Sequence, residues 1–245
     1  MTPLVPFPTR VAALQGLGVP ADRLDRLSTA LRLPPRRPGS PAGEEFGASV
    51  LLLVGDAAAV EAPEFWQRPF GAWIEIAGLS DDRIVEAAHR AGRADLFACV
   101  TTVTANRLHL AGRILTGLAA LHPMPEAQRD DMELALHEAI SNAVVHGNLQ
   151  VEGMKGLSVE ALERFSHDLA ARMADPAFAD RRIEVAAWLE SACAVVEVAD
   201  EGTGFARPER IDYGASGRGL DLIAAIVEEL QLLDGGRRIR MRFPL

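Results

Sequence analysis

The sequence predicts an α/β protein in two parts. A small α/β unit covers residues 1–102, and an α/β two-layer sandwich with a largely antiparallel sheet covers 103–245. Three observations predict it. Residues 48–102 run strand, strand, helix, strand, the order of an α/β unit with parallel strands. Residues 181–200 hold two strand-like runs joined by a tight connection, which makes an antiparallel hairpin. Residues 237–243, RRIRMRF, alternate strictly: Ile239, Met241 and Phe243 on one side, Arg238, Arg240 and Arg242 on the other. Such a strand has one face on a core and one in water.

Taken in order, RVAALQGLGVPADRLDRLSTALRL predicts one or two short helices, and PPRRPGSPAGEE (34–45) has the proline, glycine and charge of a linker. ASVLLLVGD (48–56) reads as a buried strand, AWIEIAG (72–78) as a second and DLFACVTT (95–102) as a third. SDDRIVEAAHRAG (80–92) is a helix with a serine cap, acids in its first turn and a glycine stop. A long helix is expected over 103–120. The next, ending in ELALHEAISNAVVHGN (133–148), places Met132, Ala135, Leu136, Ala139, Ile140, Ala143 and Val144 on one apolar face. An amphipathic helix over 158–175 precedes the hairpin. RGLDLIAAIVEEL (218–230) is read as the last helix, and DGG (234–236) as a turn into the final strand.

The chain has 245 residues, 49% hydrophobic and 24% charged, the balance of a soluble globular protein. A net charge of -9 argues against direct binding to nucleic acid or an anionic membrane surface. Cys99 and Cys193 stand far apart and outside any CxxC pattern, so each is expected to be a small buried hydrophobe. No apolar run approaches the roughly 20 residues of a membrane helix. The N-terminus lacks a signal-peptide core, so a cytoplasmic location is expected.

Three segments carry candidate chemistry. Glu138, Asn142 and His146 follow one another at intervals of four on one helix, so their side chains share a face. A carboxylate can orient a nucleophile or accept its proton, and an amide oxygen is a hard ligand suited to magnesium. His146 is expected to cap the helix end beside Gly147. In DEGTGF, Asp200 ends a strand and can accept a hydrogen bond from an amino group, while Gly202 and Gly204 let a ligand approach the backbone. In GASGRGL, Gly217, Arg218 and Gly219 open a helix, where free N–H groups and a guanidinium favour an anion. Each has a plainer explanation alone: a solvated helix face, a β-turn, a loop entering a helix. Together, and in this order, they supply a metal ligand, a purine acceptor and a phosphate cradle. No P-loop, dinucleotide fingerprint, HRD or DFG set, HExxH or GxSxG competes with them.

HEAISNAVVHGN, VADEGTGF and GRGLDLI resemble the N, G1 and G2 boxes of the ATPase domain shared by gyrase, histidine kinases and bacterial anti-sigma factor serine kinases. The closest likeness is to the last group and covers about 103–245. The resemblance implies a Bergerat-type sandwich binding ATP with Mg2+. Asn142 matches the magnesium ligand and Glu138 the catalytic acid that orients the attacking group. Asp200 matches the adenine contact, Gly202 and Gly204 the base-pocket glycines, and Gly217, Arg218, Gly219 and Leu220 the phosphate-side helix start. It implies an ATP-dependent protein serine kinase whose partners are an anti-anti-sigma-type protein and a sigma factor, and it admits a homodimer. The alternatives are a nucleotide-binding pseudokinase, or a histidine kinase-like module, which would need His109 as acceptor. Residues 149–180 are longer than compact anti-sigma kinases require. AHRAGRADLFACV is similar to the helix–strand passage of a response-regulator receiver. The receiver's paired acids are missing, since only Asp56 follows VLLLV, and no lysine follows DLFACV, so the expectation there is either a degenerate receiver used for docking or dimerisation or an unrelated α/β regulatory domain.

Overall fold

The apolar run VLLLV and the alternating run RRIRMRF belong to one sheet, and their difference follows from what covers each. A computed structural model describes residues 10–36, 49–56, 58, 61–154, 156, 158–205 and 218–245, with Arg218 described by its backbone alone. Its eight strands are β1 (Val11–Leu17), β2 (Ser49–Val54), β3 (Phe70–Glu75), β4 (Leu96–Thr101), β5 (Arg182–Leu189), β6 (Cys193–Asp200), β7 (Glu229–Leu233) and β8 (Arg238–Pro244), in the order β1-β2-β3-β4-β5-β6-β8-β7. The first four are parallel, and the ladders from β4 to β7 are antiparallel.

Helices α1 (Ala21–Leu31) and α2 (Asp81–Ala91) cover one face of the parallel half, over Leu51, Leu53, Ile74, Phe97 and Cys99. On the other face lie α3 (Thr102–Arg107), α4 (Leu110–Leu121), α5 (Glu126–Asn142) and α8 (Arg218–Ile226), over a core that runs from Leu52, Trp66 and Trp73 to Val196, Met241 and Phe243. The β2 side chains alternate between these two cores. A strand buried on both sides shows no polar period. The far face of β6 and β8 instead carries ions: Arg238 and Arg240 pair with Glu197, and Arg242 with Glu190. The architecture is thus three-layered over the parallel strands and two-layered over the antiparallel ones.

The α/β class, the parallel β2–β4 unit, the β5–β6 hairpin and the β8 alternation agree with expectation, and three elements do not. Residues 11–17 form strand β1, paired with β2, where helix was expected. The helix expected over 103–120 is two, α3 and α4, broken at His109, which adopts a left-handed conformation with φ 49°. The last helix ends at Ile226, and Leu230 lies in β7, because β8 offers a free ladder that a strand can complete. Strands β1 to β4 lie in chain order, without the reversal of the 2-1-3-4-5 order typical of a receiver. Both cysteines are buried and free, and burial pushes the Cys99 thiol up to about 12.

Candidate functional site

Helix α5 places the site because its apolar face is fully committed to the sheet. Met132, Ala135, Leu136, Ala139 and Ile140 are all buried. Glu138 and Asn142 are thereby turned toward α8, half-buried, and Asn142 Nδ2 donates to Glu138 Oε1 at 3.0 Å. This bond fixes the amide orientation, since only the nitrogen can donate to a carboxylate. It leaves Asn142 Oδ1 with no hydrogen-bond donor among the described residues. The start of α8 rests directly on this pair. A Cβ at Gly219 would overlap the Glu138 carboxylate and lie 3.1 Å from Asn142 Nδ2, so a side chain there would have to displace the end of the Glu138 side chain. Leu220 is half-buried against the main core. Gly217 and the Arg218 side chain lie outside the described residues.

After Asn142 the helix widens into a π-helical turn, Ala143–Asn148, a distortion that recurs at functional sites. It brings Gly147 against the end of β6. A Cβ at Gly147 would stand 2.5 Å from Asp200 Cγ and 2.6 Å and 2.7 Å from its two oxygens. Gly202 N–H donates to Asp200 Oδ1 at 2.8 Å, and Asp200 N–H donates to Arg237 O at 3.0 Å. Burial pushes the Asp200 carboxyl above its usual range, opposed by the Gly202 N–H and the charges of Arg237 and Arg181. Gly204, at φ +86°, passes beneath the backbone of Gly235. The Glu138–Asn142–Gly219 cluster and the Asp200–Gly147–Gly202 cluster therefore sit on successive turns of one helical segment, roughly 7–8 Å apart along its axis.

His146 is exposed, and its Nδ1 lies 2.7 Å from Val151 O. A carbonyl only accepts, so Nδ1 carries the proton. The imidazole anchors the segment after the helix, where the expectation was a cap on the helix's own carbonyls. Val151 also lines a cavity of about 420 Å³ between residues 150–154 and α6 (Val159–Ala174), with Phe165, Arg164 and Arg172 on its α6 side. That cavity lies beside the two clusters and shares no lining residue with them.

Two residues of the site escaped the sequence. Asn148 is wholly buried: Nδ2 donates to Thr102 Oγ1 at 2.8 Å and Arg182 O at 3.0 Å, and Oδ1 accepts from Glu201 N–H at 2.8 Å. The carboxylate of Glu201 accepts from Arg182 N–H and from Arg83. The signal for Asn148 was its place directly after HG in an otherwise apolar turn; Glu201 carried none beyond its neighbour.

A family model for the histidine kinase-like ATPase domain matches residues 101–243, more than half of the chain. The chain belongs to the histidine kinase-like ATPase domain family. The match begins at the end of β4 and takes in both clusters. A comparison with curated proteins finds no match to the chain. Members of this ATPase family bind ATP, usually with Mg2+. The residues present fit both. Asn142 Oδ1 is a hard donor of the kind magnesium accepts. Among the described residues no group of three or more His, Cys, Asp or Glu side chains is placed to hold a metal, so a metal here would share Asn142 with phosphate and water oxygens. The half-buried Asp200 carboxylate stands beside Gly147 and Gly202, an acceptor of the kind an amino group could use. Among the described residues no helix is long and apolar enough to cross a membrane.

Proposed function

We propose that this ATPase-family chain is an ATP-dependent protein serine kinase and anti-sigma factor whose acceptor is a serine of an anti-anti-sigma-type protein. The observation that carries this is the Glu138–Asn142 bond beneath the start of α8. A carboxylate, an oriented amide oxygen and a helix N-terminus stand at one point, and phosphoryl transfer depends chiefly on positioning and electrostatics. Glu138 orients the serine hydroxyl and takes its proton as the oxygen attacks the γ-phosphorus, while the bond from that phosphorus to the β,γ-bridging oxygen breaks and ADP leaves with the electron pair. Asn142 Oδ1 would hold the magnesium ion, which when bound would supply charge neutralisation at the phosphates. The first N–H groups of α8 and Arg218 receive phosphate oxygens. Asp200 accepts from the adenine amino group, and Gly202 and Gly204 leave room for the ring.

Its position argues for serine over histidine chemistry. The one histidine of the 103–120 region, His109, stands at the break between α3 and α4 and not along a continuous helix. The test is transfer of labelled phosphate from Mg-ATP to an anti-anti-sigma-type protein by the full chain. Glu138→Gln is expected to lose about 100-fold or more in rate, with ATP still bound. Asn142→Ala is expected to lose magnesium-dependent binding. Transfer at the parent rate by both variants would falsify these roles. Binding of ATP without transfer to any partner would leave a pseudokinase.

A further inference from the structure

Residue 201 is held from three sides. Its N–H donates to buried Asn148, one carboxylate oxygen accepts from Arg182 N–H at 2.8 Å, and the other accepts from Arg83 Nη2 at 2.5 Å. Asn148 closes the turn that presents Gly147 to Asp200, and Arg182 opens β5. Arg83 lies on α2, outside the residues 101–243 matched by the ATPase family model. A helix of the parallel half thus reaches into the turn that carries the candidate adenine contact.

The turn needs such a hold. Asp200 ends its strand, and Gly202 and Gly204 follow at once, each with a wide range of accessible backbone conformations. Among the described residues of the turn, the Gly202 N–H alone donates to the Asp200 side chain. The peptide between residues 200 and 201 is set by the bonds to residue 201. A misplacement of about 1 Å at a positioned group is enough to cost binding and rate. As an ion pair between exposed side chains, Arg83–Glu201 adds little to folding stability, so its effect on the ligand can be measured apart from the fold.

We propose that Arg83 is a positioning residue for the nucleotide: by holding Glu201 it aims the Asp200 carboxylate, and so makes the N-terminal α/β layer an input to nucleotide affinity and base preference. This rests on the assignment of Asp200 to the adenine amino group, and the experiment separates the two. Calorimetry on the full chain measures Kd for Mg-ATP and Mg-GTP in the parent, R83A, R83K, E201Q, R83A/E201Q and D200N. R83A is expected to weaken ATP about three- to fivefold and to narrow the preference for ATP over GTP. Its melting temperature should stay within about 2 °C of the parent. R83K should recover most of the affinity, and the double variant should bind no more weakly than E201Q. D200N should weaken ATP by about tenfold or more and abolish the base preference. The proposal is overturned if R83A keeps the parent's affinity and preference while D200N loses both. It is overturned equally if R83A weakens ATP and GTP alike in step with a fall in melting temperature. Parent-like binding by D200N would sink the assignment of Asp200 and this proposal with it.

Discussion

At the scale of the residue, two positions combine a tight steric demand with a chemical one. A methyl group at Gly219 would have to move the Glu138 carboxylate aside. Gly219→Ala is expected to move the Glu138 carboxylate and break its bond to Asn142, with little loss of stability by urea denaturation but weaker Mg-ATP binding in the same preparation. Asp200 is held at an electrostatic cost. Burial raises its folded-state pKa above the unfolded value, so the native protein retains that proton to higher pH. The stability from this group is full below the ordinary carboxylate pKa of about 4 and is lost as pH rises through the raised value. Asp200→Asn should therefore melt at or above the parent temperature at neutral pH, with the difference closing in acid. ATP affinity of the parent should begin to fall at a higher pH than an ordinary carboxylate would dictate, and the variant should lack that dependence. Both are read by melting and binding measured across pH.

At the scale of the element, α5 with its π-helical extension holds the site together. All seven apolar positions marked in the sequence on this segment are buried, which is why Glu138 and Asn142 lie on the side that meets α8. Leu136→Ala is expected to cost about 2–5 kcal/mol. Asn148 joins the end of this segment to α3, β5 and the turn after β6. Asn148→Ala leaves buried donors and acceptors unpaired, for a loss of about 3 kcal/mol in chemical denaturation. Elsewhere local pattern misled. VEELQLL carries apolar residues at helical spacing, Val227 and Leu230, yet forms strand β7 from residue 229 because β8 completes its hydrogen bonds. The break at His109 has no local signal either; Thr101 caps α3 through its side chain, and the chain turns there to lay α4 under the stacked Trp66 and Trp73.

At the scale of the whole molecule, the two parts expected from the sequence share one sheet. Six residue pairs join β4 to β5, and one core takes side chains from both halves. The full chain should therefore unfold in a single calorimetric step, with tryptophan fluorescence and far-ultraviolet dichroism changing together. A fragment of residues 103–245 would expose the β5 edge and the underside of the shared core. It is expected to aggregate or to lack a cooperative transition.

By itself the sequence determined which residue types stand at the candidate site and the order of its parts. A carboxylate and an amide four residues apart, an aspartate before two glycines and a glycine-flanked helix start are local patterns, and their meaning depends on spacing along a few residues. It determined as well which strands have one wet face, because alternation is local too. Only the tertiary structure decided that residues 229–233 pair as a strand, that one sheet runs from β1 to β7, and that Glu201 ties the turn after β6 to α2. Each of these depends on a partner distant in the chain. Hydrogen bonds and ion pairs of that kind leave no period and no neighbouring motif to mark them.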